Sequence, residues 1–251
     1  MLSSRKAVIY YLFHSGFVVE YGDYLFIFDY YKQPHKTASN GFTENELVDK
    51  IAESRYVFAF VSHGHYDHFN PRIFDWKKYN PSLTYILSSD IWSSGLKVDN
   101  EGIYFFLSPG DYIKKHDIMV RAYGSTDLGV SFMLNIGEFS IFHAGDLNWW
   151  HWADESTEDE LKEEERKFKS EVEKIREKNI DIMFFPVDPR LGEHYWIGGA
   201  YMLEKFHPRL FVPMHFGGNS YITKQIADRM KYLDIPIIKI NYEGQRFEFN
   251  F

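Results

Sequence analysis

Short apolar runs separated by turn residues mark the first sixty positions. Residues 7–13 (Ala-Val-Ile-Tyr-Tyr-Leu-Phe), 17–21 and 24–28 read as strands, the last two joined at Gly22-Asp23, a hairpin signal between apolar stretches. Residues 44–53 predict a helix, and Tyr56 to Val61 is a continuous apolar run of the kind that forms a strand buried on both faces. A second stretch repeats the order. Residues 132–136 and 139–143 pair across Gly137-Glu138 and lead directly into Ala144-Gly145-Asp146. Residues 157–179 predict the clearest helix: Thr157 and Glu160 form a capping box, Leu161, Phe168, Val172 and Ile175 share a stripe, and acids precede bases. Its charge run reads as a solvated face. A strand (182–185), a helix starting near Gly199, a strand (210–213), a further helix and a last hairpin around Glu243-Gly244 complete the chain. Strand-rich halves interleaved with helices predict two packed sheets covered by helices, in a single domain over residues 1–251.

Composition narrows the function. The chain has 251 residues, is 45% hydrophobic and 25% charged, and carries a net charge of −8. General electrostatic attraction to nucleic acid or an anionic membrane is therefore not expected. No run approaches the about 18 apolar residues of a membrane span, so a cytoplasmic location is the default expectation. The 23 Phe and 18 Tyr favour sheets and aromatic-lined clefts. With no cysteine, disulfides and thiolates drop out, and any metal must be held by His, Asp or Glu.

Those residue types concentrate in one place. His63-Gly64-His65-Tyr66-Asp67-His68 opens the loop just beyond the apolar strand that ends at Val61. If extended, residues 63, 65 and 67 point one way and His68 is offset, so one loop offers ligands to two adjacent ions. Imidazole suits Zn, Fe and Mn, and a carboxylate offsets charge, which makes sense for a binuclear site.

H-x-H-x-D-H after a buried strand, with a later Gly-Asp and a later His, resembles the metallo-β-lactamase superfamily of metal-dependent hydrolases over almost the whole chain. His14-Ser15-Gly16-Phe17, Asp29, His143-Ala144-Gly145-Asp146, the stretch from Pro186 to Gly192, and Pro213-Met214-His215-Phe216 are similar to its lactonase-like branch, which includes the L-ascorbate-6-phosphate lactonases. The resemblance implies an α+β, four-layer αββα sandwich, the metallo-hydrolase fold. It also implies His63 and His65 on a first metal, Asp67, His68 and His215 on a second, and Asp146 bridging them.

One residue departs from that pattern. Family members supply a third histidine to the first metal from a loop that here reads Tyr123-Gly124-Ser125-Thr126-Asp127. Three completions are physically reasonable: an oxygen from Asp127, the imidazole of His151 in Trp149-Trp150-His151-Trp152, or a site that is mononuclear or completed by water.

The remaining candidates have supporting roles. His143 shares a strand face with Phe139 and Ile141 and reads as a hydrogen-bonded core or supporting histidine. Asp29 and, similarly placed, His14 are expected to brace the metal loop. Asp188, Arg190, His194 and Tyr195 follow a strand and would bind substrate or, for His194, donate a proton, with an Asp188–Arg190 salt bridge as the plainer alternative. Three tryptophans around His151 suggest either a lid or a self-association surface, hence a homo-oligomer.

The expected activity is hydrolysis of an ester, lactone or phosphoester of a small molecule by metal-bound hydroxide, Asp67 helping to orient it, with one or two divalent ions, Zn first and Mn or Fe as alternatives. Two other readings stand beside it: a diiron redox protein, and a degenerate member that binds metal or ligand without catalysis.

Overall fold

The computed structural model describes residues 6–34, 41–93, 95 and 103–251. Its strands are, in chain order, β1 (Lys6–Phe13), β2 (Gly16–Tyr21), β3 (Tyr24–Phe28), β4 (Tyr56–Val61), β5 (Thr84–Ser88), β6 (Ile103–Leu107) and β7 (Tyr112–Lys115). They continue with β8 (Ile118–Tyr123), β9 (Ser131–Ile136), β10 (Phe139–His143), β11 (Ile182–Pro186), β12 (Leu210–Met214) and β13 (Arg246–Asn250). The chain divides into two compact units, Met1–Leu107 with Ile240–Phe251, and Ser108–Lys239.

The first unit holds a sheet in the order β13-β1-β2-β3-β4-β5-β6. Antiparallel pairing of β1, β2 and β3 follows the predicted turns, and β3, β4, β5 and β6 run parallel. Val57, Ala59 and Val61 of β4 join one hydrophobic cluster with Leu47 and Ile51, while the alternate residues Phe58 and Phe60 are also buried. The uninterrupted apolar run is thus what a parallel strand buried on both faces requires. Helix α1 (Glu44–Glu53) starts where the chain supplies a capping box of Thr43 and Glu46, and lays Leu47 and Ile51, one turn apart, on this sheet face. Helix α2 (Ser89–Ser93) follows β5 without a break.

The second unit holds a sheet in the order β12-β11-β10-β9-β8-β7. β7 to β10 pair antiparallel, and β10, β11 and β12 run parallel. Helix α3 (Glu158–Val172) has the predicted capping box of Thr157 and Glu160, and buries Phe168 and Val172. Helices α4 (Ile197–Phe206) and α5 (Tyr221–Arg229) flank β12 in the chain. Among the described residues no helix is long and apolar enough to cross a membrane.

Two expectations need correction. α3 ends at Val172 rather than 179: Lys174 and Ile175 donate three residues back, to Glu171 and Val172, and the Arg176 N–H then goes to the Tyr123 hydroxyl (3.2 Å). That hydroxyl itself donates to Glu177 (2.5 Å). Tyr123→Phe is expected to cost about 1–2 kcal/mol by stranding a partly buried N–H. Urea unfolding measures this, and an unchanged midpoint would show that the hydroxyl contributes nothing net to stability. The last hairpin is also absent. Gly244 instead donates its N–H to the Tyr11 carbonyl (2.8 Å), β13 pairs with β1, and residues before it make only a single bridge, Ile237 to Phe211 of β12. At Gly244 a Cβ would lie 2.6 Å from the Phe42 backbone, so only glycine allows this approach. β5 to β8 were not expected from the sequence. β7 has only four residues of alternating exposure, and apolar periodicity is faint over so short a span.

Candidate metal centre

In each unit the chemistry-bearing residues gather at the carboxyl ends of parallel strands, where α/β sheets generally place their ligands. In the first unit, β3 runs into Asp29, β4 into Ser62 and His63, and β5 into Asp90. In the second, β10 runs into Asp146, β11 into Asp188 and β12 into His215. Parallel register makes these ends neighbours: Phe28 is level with Phe60, Val61 with Leu87, and Pro186 with Met214.

The turns leaving these strands are strained. Asp29 (φ 42°) and His215 (φ 64°) lie in the left-handed region that side chains with a Cβ seldom enter, as does His14 (φ 56°) after β1. Such conformations persist only where the surroundings over-determine them, and they concentrate at functional sites.

Asp29 organises the histidine loop. Fully buried, it accepts the Ser62 N–H at Oδ1 (2.7 Å), and at Oδ2 both the Ser62 hydroxyl (2.7 Å) and His68 Nδ1 (2.8 Å). Since the Ser62 proton goes to Asp29, the Ser62 oxygen accepts from His63 Nδ1 at 3.0 Å. This network assigns the Nδ1–H tautomer to both His63 and His68 and turns each Nε2 lone pair outward as a ligand atom.

The loop itself is not extended. The His65 carbonyl accepts from the N–H groups of His68 and Phe69, both at 3.1 Å, which closes a turn. Asp67 consequently swings away from His63 and His65 and lies with His68 and His14. The ligand atoms of His14, Asp67 and His68 lie within 4.8 Å of one another, and those of His63 and His65 do likewise. The two rings of the latter pair stand nearly perpendicular, with centroids 4.5 Å apart. His63 and His68 are buried, Asp67 is half-buried and His65 is exposed. Asp90 was not foreseen: its Oδ2 accepts the Gly64 N–H at 2.7 Å and so ties the loop to α2.

In the second unit the pair is Asp146 and His215, with His215 Nε2 3.3 Å from Asp146 Oδ1. On the other side of the ring Nδ1 donates to Asp188 Oδ2 at 3.0 Å. Burial opposes charge on His215, but the two carboxylates outweigh it and raise its pKa to about 10. Burial likewise pushes Asp188 up, and hydrogen bonds from His215 and Arg190 more than reverse this, to about 2. Asp188 therefore makes the expected ion pair with Arg190 (2.5 Å) and also orients His215, a role its place in the sequence did not disclose. The buried His143 accepts the Gly145 N–H at Nδ1 (3.3 Å), bracing the turn at Gly145 (φ 54°) that delivers Asp146.

The tryptophan run is packed. Trp150 is buried, donates from Nε1 to the Asp146 carbonyl (3.1 Å) and meets the His215 ring edge-on at 5.4 Å, while Trp149 stacks on Phe168 of α3. His151 lies against His194, ring centroids 4.2 Å apart, and burial and the His194 charge lower its pKa. Asp127 is exposed, and its neighbour Thr126 makes the contact here, donating to the Asn148 carbonyl (2.6 Å) and accepting the Asn148 N–H (2.9 Å). Neither Asp127 nor His151 joins a metal-capable cluster among the described residues.

No protein-family model matches the chain. A curated protein of Staphylococcus carnosus, described as a metal-dependent hydrolase, is 22% identical over 227 residues, which span 83% of this chain and 89% of the relative. Among solved structures, a metallo hydrolase of the hyperthermophilic archaeon Ignicoccus hospitalis superposes with a TM-score of 0.62 at 13% identity, covering 98% of this chain and 99% of its own. A metallo-β-lactamase fold protein of Bacillus subtilis gives 0.59 at 12% identity, covering 98% and 100%. A diiron β-hydroxylase of Streptomyces venezuelae gives 0.62 at 10% identity, covering 99% of this chain and 55% of the larger enzyme. These likenesses show that the fold is the metallo-β-lactamase fold, and the H-x-H-x-D-H loop stands in it directly after β4.

Proposed function

We propose that the chain is a metal-dependent hydrolase of a small-molecule ester, lactone or phosphoester, acting as a single domain. Its ligands are His63, His65, Asp67, His68, Asp146 and His215. The observation that carries this reading is the hydrogen-bonding pattern common to three buried histidines. His63, His68 and His215 each commit Nδ1 to a protein oxygen, of Ser62, Asp29 and Asp188 respectively, which leaves Nε2 of His63 and His68 as the ligand atom and directs Nε2 of His215 at Asp146. Carboxylate or hydroxyl support behind the ring is what metal-binding histidines require, since it fixes the tautomer and raises ligand basicity. The donor set is all nitrogen and oxygen and suits one or two ions of Zn, with Mn or Fe as alternatives. A divalent ion held by these residues would supply Lewis-acid polarisation of a carbonyl or phosphoryl oxygen and activation of water.

The protein's own groups supply the remainder. Asp67, half-buried in the loop, accepts a hydrogen bond from the attacking water and aligns it. His194, beside His151 in a loop after β11, is the candidate proton donor to the leaving group.

Elemental analysis of gently purified protein tests the proposal, together with hydrolysis assays on aryl esters, lactones and aryl phosphodiesters. One or two divalent ions per chain and EDTA-sensitive turnover of one class are expected. Protein that takes up no divalent ion at micromolar concentration would rule the reading out, and iron accompanied by no hydrolysis would replace it with redox chemistry.

A further inference from the structure

We infer that His14 is itself a metal ligand, completing with Asp67 and His68 a three-residue site built wholly within the first unit. This deepens the metal reading above and rests on it. His14 Nε2 lies 3.5 Å from Asp67 Oδ2, and the His14 ring meets the His68 ring edge-on at 5.3 Å. Ligand atoms about 2.1 Å from a tetrahedral or octahedral ion lie roughly 3.0–3.5 Å from one another, so the separation from Asp67 matches two ligands of one ion. It is too long for a direct charge-assisted hydrogen bond, which closes to about 2.7–2.9 Å.

The backbone is built to hold this imidazole. His14 adopts its left-handed conformation directly after β1 and donates its N–H to the Tyr11 hydroxyl at 3.0 Å. Two residues on, a Cβ at Gly16 would lie 3.0 Å from the carbonyl oxygens of Phe13 and Asp29, so glycine there lets the β1–β2 turn press against the strand end that carries Asp29. An ordinary turn has no need of a strained histidine that is only 8% exposed. A histidine placed here adds an imidazole to a ligand set that lacks one near Ser125 to Asp127, although it joins Asp67 and His68 rather than His63 and His65.

Cobalt(II) titration of metal-stripped protein tests the assignment, read by visible ligand-field bands and by calorimetry, on the natural chain, His14→Asn and His14→Gly. Both substitutes tolerate a positive φ, and Asn lacks a ring nitrogen in this position. At least a tenfold weaker affinity at one ion is expected in both variants, with shifted bands, an unchanged melting temperature of the metal-free protein, and recovery of the bands in His14→Gly on adding free imidazole. Unchanged bands and affinity would overturn the assignment while leaving the metal reading intact. Weaker binding with unshifted bands and no imidazole rescue would overturn it too, making His14 a positioning residue for Asp67. No cobalt bound by the natural chain would instead defeat the metal reading itself.

Discussion

Replacing Asp29 by alanine is expected to destabilise the first unit by about 3–5 kcal/mol and to weaken metal uptake by the histidine loop roughly 10–100-fold. The size follows from what one fully buried carboxylate does: it receives a backbone N–H and a hydroxyl from Ser62 and Nδ1 of His68. Alanine leaves these three donors without their acceptor in a site where water is excluded, at about 1–3 kcal/mol for each uncompensated group. The effect on metal has a separate origin. Without the carboxylate, the tautomers of His68 and, through Ser62, of His63 are no longer dictated, and both rings turn more freely. Urea unfolding of the metal-free protein and calorimetric metal titration separate the two effects. A stability loss with undiminished metal affinity would show that Asp29 supports the fold alone.

Asp188→Ala is expected to lower metal affinity at the Asp146–His215 pair by a similar 10–100-fold factor, and Asp188→Asn by less, because an amide oxygen still accepts from His215 Nδ1 while the negative charge is gone. Asp188 accepts from Nδ1 of His215 and is held in turn by Arg190. Arg190→Ala, which removes a largely exposed guanidinium, should have the weakest effect of the three. The order Ala, Asn, then the Arg190 variant is the informative result. Equal affinities for all three and the natural chain would show that Asp188 does not orient the ring.

Much of this architecture is legible in the residues taken alone. The strands from β1 to β4, the β9–β10 pair and the capped start of α3 follow from local chemistry: apolar runs, Gly-containing turns, and Thr with Glu three residues later. The histidine loop is legible for the same reason, because its six positions are contiguous and few structures other than a metal site use such a run. Where the reading failed, long-range contacts decide. Beyond α3 the Arg176 N–H is taken by Tyr123, more than fifty positions away, and instead of forming a hairpin Ile237 bridges Phe211 of β12 while β13 pairs with β1.

For the site, the sequence alone determined which residue types were available and that they follow strands: no thiolate, a histidine loop after β4, an aspartate after β10, a histidine after β12. Only the tertiary structure decided how they are used. It bends the loop so that Asp67 joins His68, sets Asp29 and Asp188 behind imidazoles 39 and 27 positions away, and brings His14 beside Asp67. Spacing along a chain specifies a turn or a face over a few residues, whereas the partner of a ring nitrogen depends on which strands become neighbours in a sheet, and that is settled by the packing of the whole unit.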